Sequence, residues 1–180
     1  MRCKNCGSTF EKRYPNQMGA FRFCLDSDEC TSAFWDAVKE DRIKKAKREK
    51  IKKRKELETV QDLLKKAQAI FNQYIRLRDK DKKCISCDSK LKGKFDAGHY
   101  VSSGSCKALT FDENNVHGQC VHCNQHKHGN LISYREGLIK RLGIDTVEEL
   151  EKMRHKTVKY TREELRELIT EYKQKIKYHS

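Results

Sequence analysis

Cys84-Ile-Ser-Cys87 and Cys120-Val-His-Cys123 are two Cys-x-x-Cys pairs separated by 32 residues, and no other stretch constrains the fold as strongly. Two such knuckles can meet at one tetrahedral ion, so the intervening chain has to return on itself. A site closed by four thiolates has no position left for water; an ion there staples the fold, and any chemistry needs another centre. A second set, Cys3, Cys6, Cys24 and Cys30, lies near the start, with little apolar sequence around it beyond Phe10, Phe21, Phe23, Phe34 and Trp35. Composition says why metal is needed: 36% apolar against 37% charged residues in 180 leaves too little for one large core and favours small units held by something else. The expected fold is α+β and mostly helical. Residues 1–38 form a four-cysteine zinc finger, 39–58 a basic helical or disordered linker, and 59–180 a zinc-stapled ββα module with flanking helices.

Periodicity places the helices. Val60, Leu63, Leu64, Ala67, Ile70, Phe71, Tyr74 and Ile75 repeat at helical spacing and predict a helix over 59–79 with one continuous apolar face. Leu131, Tyr134, Leu138 and Leu142 predict another, which Gly143 stops. Thr146 with Glu149 and Thr161 with Glu164 each have the Thr-x-x-Glu pattern of a capping box. The second would open a helix with Leu165, Leu168, Ile169, Tyr172 and Ile176 on one side. Between the knuckles, Lys94 to Ala97 reads as a short strand entering a Gly98-His99 turn. The segment after Cys123 reads as a helix on which Asn124 and His128, four apart, share a face. A strand with Asp96 and His99 against that helix would gather oxygen and imidazole donors around a divalent cation. Cys106, the ninth cysteine, has no partner in this scheme and sits in a Ser102-Ser-Gly-Ser loop.

The net charge of +14 and pI near 9.4 point to a polyanionic partner, nucleic acid or an anionic membrane. No apolar run approaches the roughly 20 residues of a membrane span, and Met1-Arg-Cys-Lys lacks the apolar core of a secretory leader. The expectation is a cytoplasmic protein with no membrane association, whose cysteines serve as thiolate ligands in a reducing compartment. From 39 to 55, eleven basic residues stand against three acidic ones. Lys44, Lys45, Lys47, Arg48, Lys52, Lys53, Arg54 and Lys55 are the candidates for phosphate contact, with a solvated spacer as the plain alternative. Lys127 and Arg135 are candidates to hold the scissile or a neighbouring phosphate.

Phe95-Asp-Ala-Gly-His-Tyr100, Leu109-Thr-Phe-Asp-Glu-Asn-Asn-Val-His117 and Cys120-Val-His-Cys-Asn-Gln-His-Lys-His-Gly-Asn130 resemble the NinG (Rap) recombination proteins of lambdoid phages and, more widely, the HNH or His-Me finger nucleases. The resemblance implies a structure-specific endonuclease that hydrolyses phosphodiester bonds in branched recombination intermediates such as Holliday junctions and D-loops. It implies His99 as general base, Asn124 and His128 as ligands of a catalytic Mg²⁺ or Mn²⁺, and Asn115 as the residue that fixes the loop and orients the base. It also implies two structural Zn²⁺, a branched DNA partner, a recombinase or single-strand-binding partner, a homodimer and the host cytoplasm. The residue before the base is Gly98 where such nucleases often carry an acid or imidazole. Asp96, the nearest carboxylate, is taken as the remaining ligand of the catalytic ion, although it falls on the other strand face unless Gly98 bends the backbone. A rival reading is a non-catalytic zinc-dependent nucleic-acid-binding or recombinase-recruiting protein, which would have no need of Gly98-His99.

Overall fold

The computed structural model describes residues 1–179, which form two compact units, Met1–Glu58 and the chain from Thr59 onward. In the first unit, the core is made largely of the thiols themselves: Cys3, Cys24 and Cys30 pack with Phe23 and Phe34, whose rings meet edge to face at 6.2 Å. Gln17 is fully buried in the loop before them. Its Oε1 accepts from the backbone N–H of Arg13 at 2.7 Å and Tyr14 at 2.9 Å, and its Nε2 donates to the Phe23 carbonyl at 3.0 Å. One side chain thus satisfies the polar backbone of a loop with little else to hold it.

Helix α1 runs Asp28–Leu57 without a break. Ser27 caps it by accepting from the Cys30 N–H, Asp28 and Glu29 occupy the positive first turn, and Arg54 and Lys55 the negative last one. Of the two forms open to the basic segment 39–58, helical or disordered, the structure has the helical one: residues 39–57 continue the helix that carries Cys30. No Gly or Pro interrupts it, and Glu40–Lys44 at 3.2 Å and Asp41–Lys45 at 3.0 Å add i,i+4 support.

In the second unit, α2 (Val60–Arg78) starts with a capping box between Thr59 and Asp62. Strands β1 (Phe95–His99) and β2 (Val116–Cys120) form a two-stranded antiparallel sheet, followed by α3 (Leu131–Leu142), α4 (Ile144–Lys152) and α5 (Arg162–His179). The apolar stripe of α2 meets Leu165, Ile169 and Tyr172 of α5, with Ala97, Phe111 and Val116 completing this core. A second cluster joins Tyr134 and Leu138 of α3 to Val147 and Leu150 of α4, with Ile85, Tyr100, Val101 and Leu109. The hairpin lies between these layers. Gly137 lets α3 approach the first knuckle, because a Cβ there would collide with the Ile85 carbonyl.

Two local expectations are corrected. Thr146 does not cap a helix, since α4 already begins at Ile144 behind Gly143 at φ +86°, and the Thr146 hydroxyl instead donates to the Leu142 carbonyl. The Thr161–Glu164 box does form: Thr161 N–H donates to Glu164 Oε2 at 2.7 Å and Glu164 N–H to Thr161 Oγ1 at 3.2 Å. His99 is not in a turn but is the last residue of β1.

Candidate active site and metal centres

The Cys3–Cys6 knuckle of the first unit and the Cys84–Cys87 knuckle of the second are built alike. Cys3 N–H donates to the Ser8 carbonyl and Gly7 N–H to the Cys3 carbonyl; Cys84 N–H donates to Ser89 and Asp88 N–H to Cys84 in the same way. Gly7 and Asp88 both take positive φ, +77° and +56°. Each knuckle meets its second cysteine pair so that four ligand sulfurs lie within 4.8 Å of one another: Cys3, Cys6, Cys24, Cys30 and Cys84, Cys87, Cys120, Cys123. Backbone N–H groups point at the sulfurs, Cys24 to Cys3 at 3.3 Å and Cys120 to Cys84 at 3.4 Å, as thiolates require when buried. Both sets can hold a zinc ion.

From the second cluster the chain builds a cleft. β1 and β2 pair continuously from Phe95↔Cys120 to His99↔Val116, so Gly98 does not bulge. Glycine is required there for another reason: a Cβ would strike the Gln119 side chain. Tyr134, fully buried on α3, donates to the Gly98 carbonyl at 2.7 Å and accepts from His117 N–H at 3.1 Å, fastening both strands beside His99. Asn115 is also fully buried, donating to the carbonyls of Val101 and Leu109, both at 2.9 Å, and accepting from Val101 N–H at 2.8 Å. It closes the 101–115 loop on itself.

His99 Nε2 lies 3.1 Å from the Thr110 carbonyl oxygen. A carbonyl can only accept, so Nε2 carries the proton and Nδ1 keeps the lone pair. Burial holds His99 below the ordinary imidazole range, against the opposing carbonyls of Thr110 and Ala97. His99, Asn124 and His128 line one cleft of about 630 Å³, together with Tyr100, Ser102, Ser103 and Ser105. They do so without the regular helix expected after Cys123. His122–His126 is a single π-helical turn, and His128 at φ +48° and Asn130 at φ +44° are left-handed. His128 therefore reaches the cleft by a turn and is exposed.

Asp96 does not line the cleft. With no bulge at Gly98 it stays on the strand face opposite His99, where its Oδ2 accepts from Asn124 Nδ2 at 2.9 Å and Gln125 Nε2 at 2.8 Å. That bond turns Asn124 so that its amide oxygen is the donor atom left for a cation. Arg135 is likewise occupied: Nε and one terminal nitrogen reach the two Glu151 oxygens at 2.8 and 3.3 Å. Lys127 is exposed beside the π turn, and Lys44, Lys45, Lys47, Arg48, Lys52, Lys53, Arg54 and Lys55 are all exposed along α1.

The buried charge network was not foreseen. Asp79 is fully buried and receives two bonds from Arg78 at 2.9 Å each, one from Lys82 at 2.8 Å and one from Gly118 N–H at 2.8 Å, tying the end of α2 to β2. His117 packs beside it. Burial first, then Arg78 and Arg141, push the His117 pKa down to about 3, against the pull of Asp79. Its native imidazole stays neutral where the unfolded chain takes up a proton, between about 6.5 and about 3. The unfolded state binds the extra proton, so stability should drop by about 1.4 kcal/mol for each unit by which pH is lowered through that window. Denaturant midpoints for wild type and His117→Gln across this range should show the slope shrinking by that amount in the variant.

The chain belongs to the NinG family: the family model described as Bacteriophage Lambda NinG protein matches residues 1–180. Among curated relatives, Protein ninG of Salmonella phage P22 is 48% identical over 114 residues, 63% of this chain and 56% of that protein. Protein ninG of Escherichia phage lambda is 46% identical over 114 residues, 63% of this chain and 55% of that protein. The matched segment thus spans little more than half the length of these relatives. No solved structure matches. Among the described residues, no helix is long and apolar enough to cross a membrane.

Proposed function

We propose that this protein is a metal-dependent endonuclease of the His-Me finger type, cutting phosphodiester bonds in branched DNA. The observation that carries this reading is His99: a half-buried imidazole at the end of β1, its tautomer set by the Thr110 carbonyl, facing the cleft that Asn124 and His128 also line. A pure binding module has no use for a neutral, oriented imidazole in a polar cleft.

The Asn124 amide oxygen, with open positions for water and phosphate oxygens, suits Mg²⁺ or Mn²⁺, which keep several non-protein ligands, and an imidazole ligand from His128 would tilt the site toward Mn²⁺. Such an ion would stabilise charge on the reacting phosphate and the departing 3′ oxygen. His99 Nδ1 accepts a proton from water as the water oxygen bonds to phosphorus and the P–O3′ bond breaks, and the departing 3′ oxygen takes up a proton from solvent, leaving a 5′-phosphate and a 3′-hydroxyl. Asp96 takes part by orienting the Asn124 amide. Tyr134 and Asn115 hold the strand end and loop on which the base depends. The thiolate sites serve only to build the fold.

The test is cleavage of four-way junction, D-loop, duplex and single-stranded DNA by the full chain. Activity should require Mg²⁺ or Mn²⁺, vanish in EDTA and return on re-addition while two zinc ions per chain stay bound, and favour the branched substrates. No cleavage of any substrate with either cation would leave a zinc-dependent binding protein.

Exposed cations along α1 supply the affinity in this account. Each phosphate they neutralise should contribute about −0.9 to the slope of log affinity against log salt on duplex arms. Replacing Lys47, Arg48, Lys52 and Arg54 with Gln should weaken binding to every substrate and flatten that slope without altering the preference among them, since backbone contacts carry little discrimination. An unchanged slope would make α1 a solvated spacer.

A further inference from the structure

Cys106 and Arg154 have no part in the site described so far. The Cys106 thiol is buried and lies 3.4 Å from the carbonyl oxygens of both Met153 and Lys156. It thereby pins the single helical turn Met153–His155 beside the loop that precedes Asn115, and the Tyr160 hydroxyl, donating to the Lys107 carbonyl at 3.2 Å, fastens the following segment to the same loop. The consequence is positional: Arg154 and His155 line the His99 cleft.

Arg135 and Arg154 differ in what their guanidinium groups have left to offer. Glu151 takes Arg135 through both oxygens and also accepts from the Tyr100 hydroxyl. Arg154 forms no ion pair among the described residues, and its guanidinium carbon stands 5.5 Å from the centre of the Tyr100 ring. Contact with an aromatic face uses the flat side of the group and leaves its edge of N–H donors for a bidentate anion. Glu151 thus occupies the donors of Arg135 and acts on Arg154 only through space, Tyr100 supports Arg154, and the hydroxyls of Ser102, Ser103 and Ser105 line the same cleft.

We propose that Arg154 binds a phosphate group of the strand held in the His99 cleft. The identity of that phosphate as DNA rests on the nuclease reading; the anion site itself does not. A paired charged hydrogen bond of this kind is worth about tenfold or more in affinity.

The experiment follows the His99 imidazole resonance of the full chain during titration with a 5′-phosphorylated dinucleotide, and cleavage of a four-way junction in parallel, for wild type, Arg154→Gln, Arg154→Lys and Lys156→Gln. Lys156→Gln removes the same charge from an exposed neighbour that does not line the cleft. Arg154→Gln should bind the dinucleotide at least tenfold more weakly and lower kcat/KM by a similar factor. Arg154→Lys, which keeps charge and loses the fork, should fall between, and Lys156→Gln should stay within twofold of wild type. Dinucleotide binding that depends on Arg154 in a protein that cuts nothing would uphold the phosphate site and remove the nuclease reading. Equal binding by wild type and Arg154→Gln, or equal weakening by Arg154→Gln and Lys156→Gln, would overturn the proposal.

Discussion

Cys84→Ser should release one of two zinc ions per chain and dismantle the cleft while leaving the first unit folded. Cys84 is fully buried, and its sulfur accepts from Cys120 N–H at 3.4 Å. Next to it, Ile85 N–H donates to the Gly118 carbonyl at 3.2 Å. An ion shared by Cys84, Cys87, Cys120 and Cys123 would therefore tie the knuckle to the end of β2 and to the π turn that carries Asn124. Structural zinc contributes about 10–16 kcal/mol in small metal-folded peptides, comparable to the whole stability of an ordinary domain, about 5–15 kcal/mol. Losing it should abolish cleavage and amide protection in β1 and β2. The first unit has its own four thiols and its own small core. Trp35, the only tryptophan, sits there against Phe34 at 5.3 Å, so its fluorescence should not change. Metal analysis finding two zinc ions in Cys84→Ser would contradict this assignment of the ligands.

What could be read from the sequence was whatever short-range spacing dictates. The second thiolate set follows from two Cys-x-x-Cys pairs and the first from one such pair with the wider-spaced Cys24 and Cys30, and α2 and α5 follow from apolar residues at helical intervals whose burial the structure repeats. The likeness of the two knuckles was also available, since Cys-x-x-Cys followed by Gly-Ser or Asp-Ser marks the positive-φ residue in both. The segment after Cys123 misled because a four-residue interval suggests a shared helix face, whereas Gly129 and left-handed His128 and Asn130 break the helix after one wide turn. Asp79 was hidden in Arg-Asp-Lys-Asp-Lys-Lys, which reads as a solvated charge run. Its burial depends on Gly118 and His117, nearly forty residues away. Arg135 looked available for the same reason, because its partner Glu151 belongs to another helix. Cys106 acquires a role only when the Met153–His155 turn is brought to it.

His99→Ala should lower the rate of cleavage by at least the ~10²-fold typical of a lost general base, with junction binding nearly intact. The side chain is held by its own carbonyl contact at Thr110 and does not bridge the strands, which remain fastened through Tyr134 and Asn115, so the fold should survive its loss. Because burial favours the neutral ring, the wild-type rate should rise with pH to a plateau reached below the ordinary imidazole range, a limb that the variant lacks. The decisive measurement is single-turnover cleavage of an end-labelled four-way junction in Mg²⁺ by wild type and His99→Ala at matched zinc content. Wild type should produce strands ending in 5′-phosphate and 3′-hydroxyl, and the variant should bind the junction and leave it intact; equal cutting by the two proteins would contradict His99 as the base of a nuclease centre.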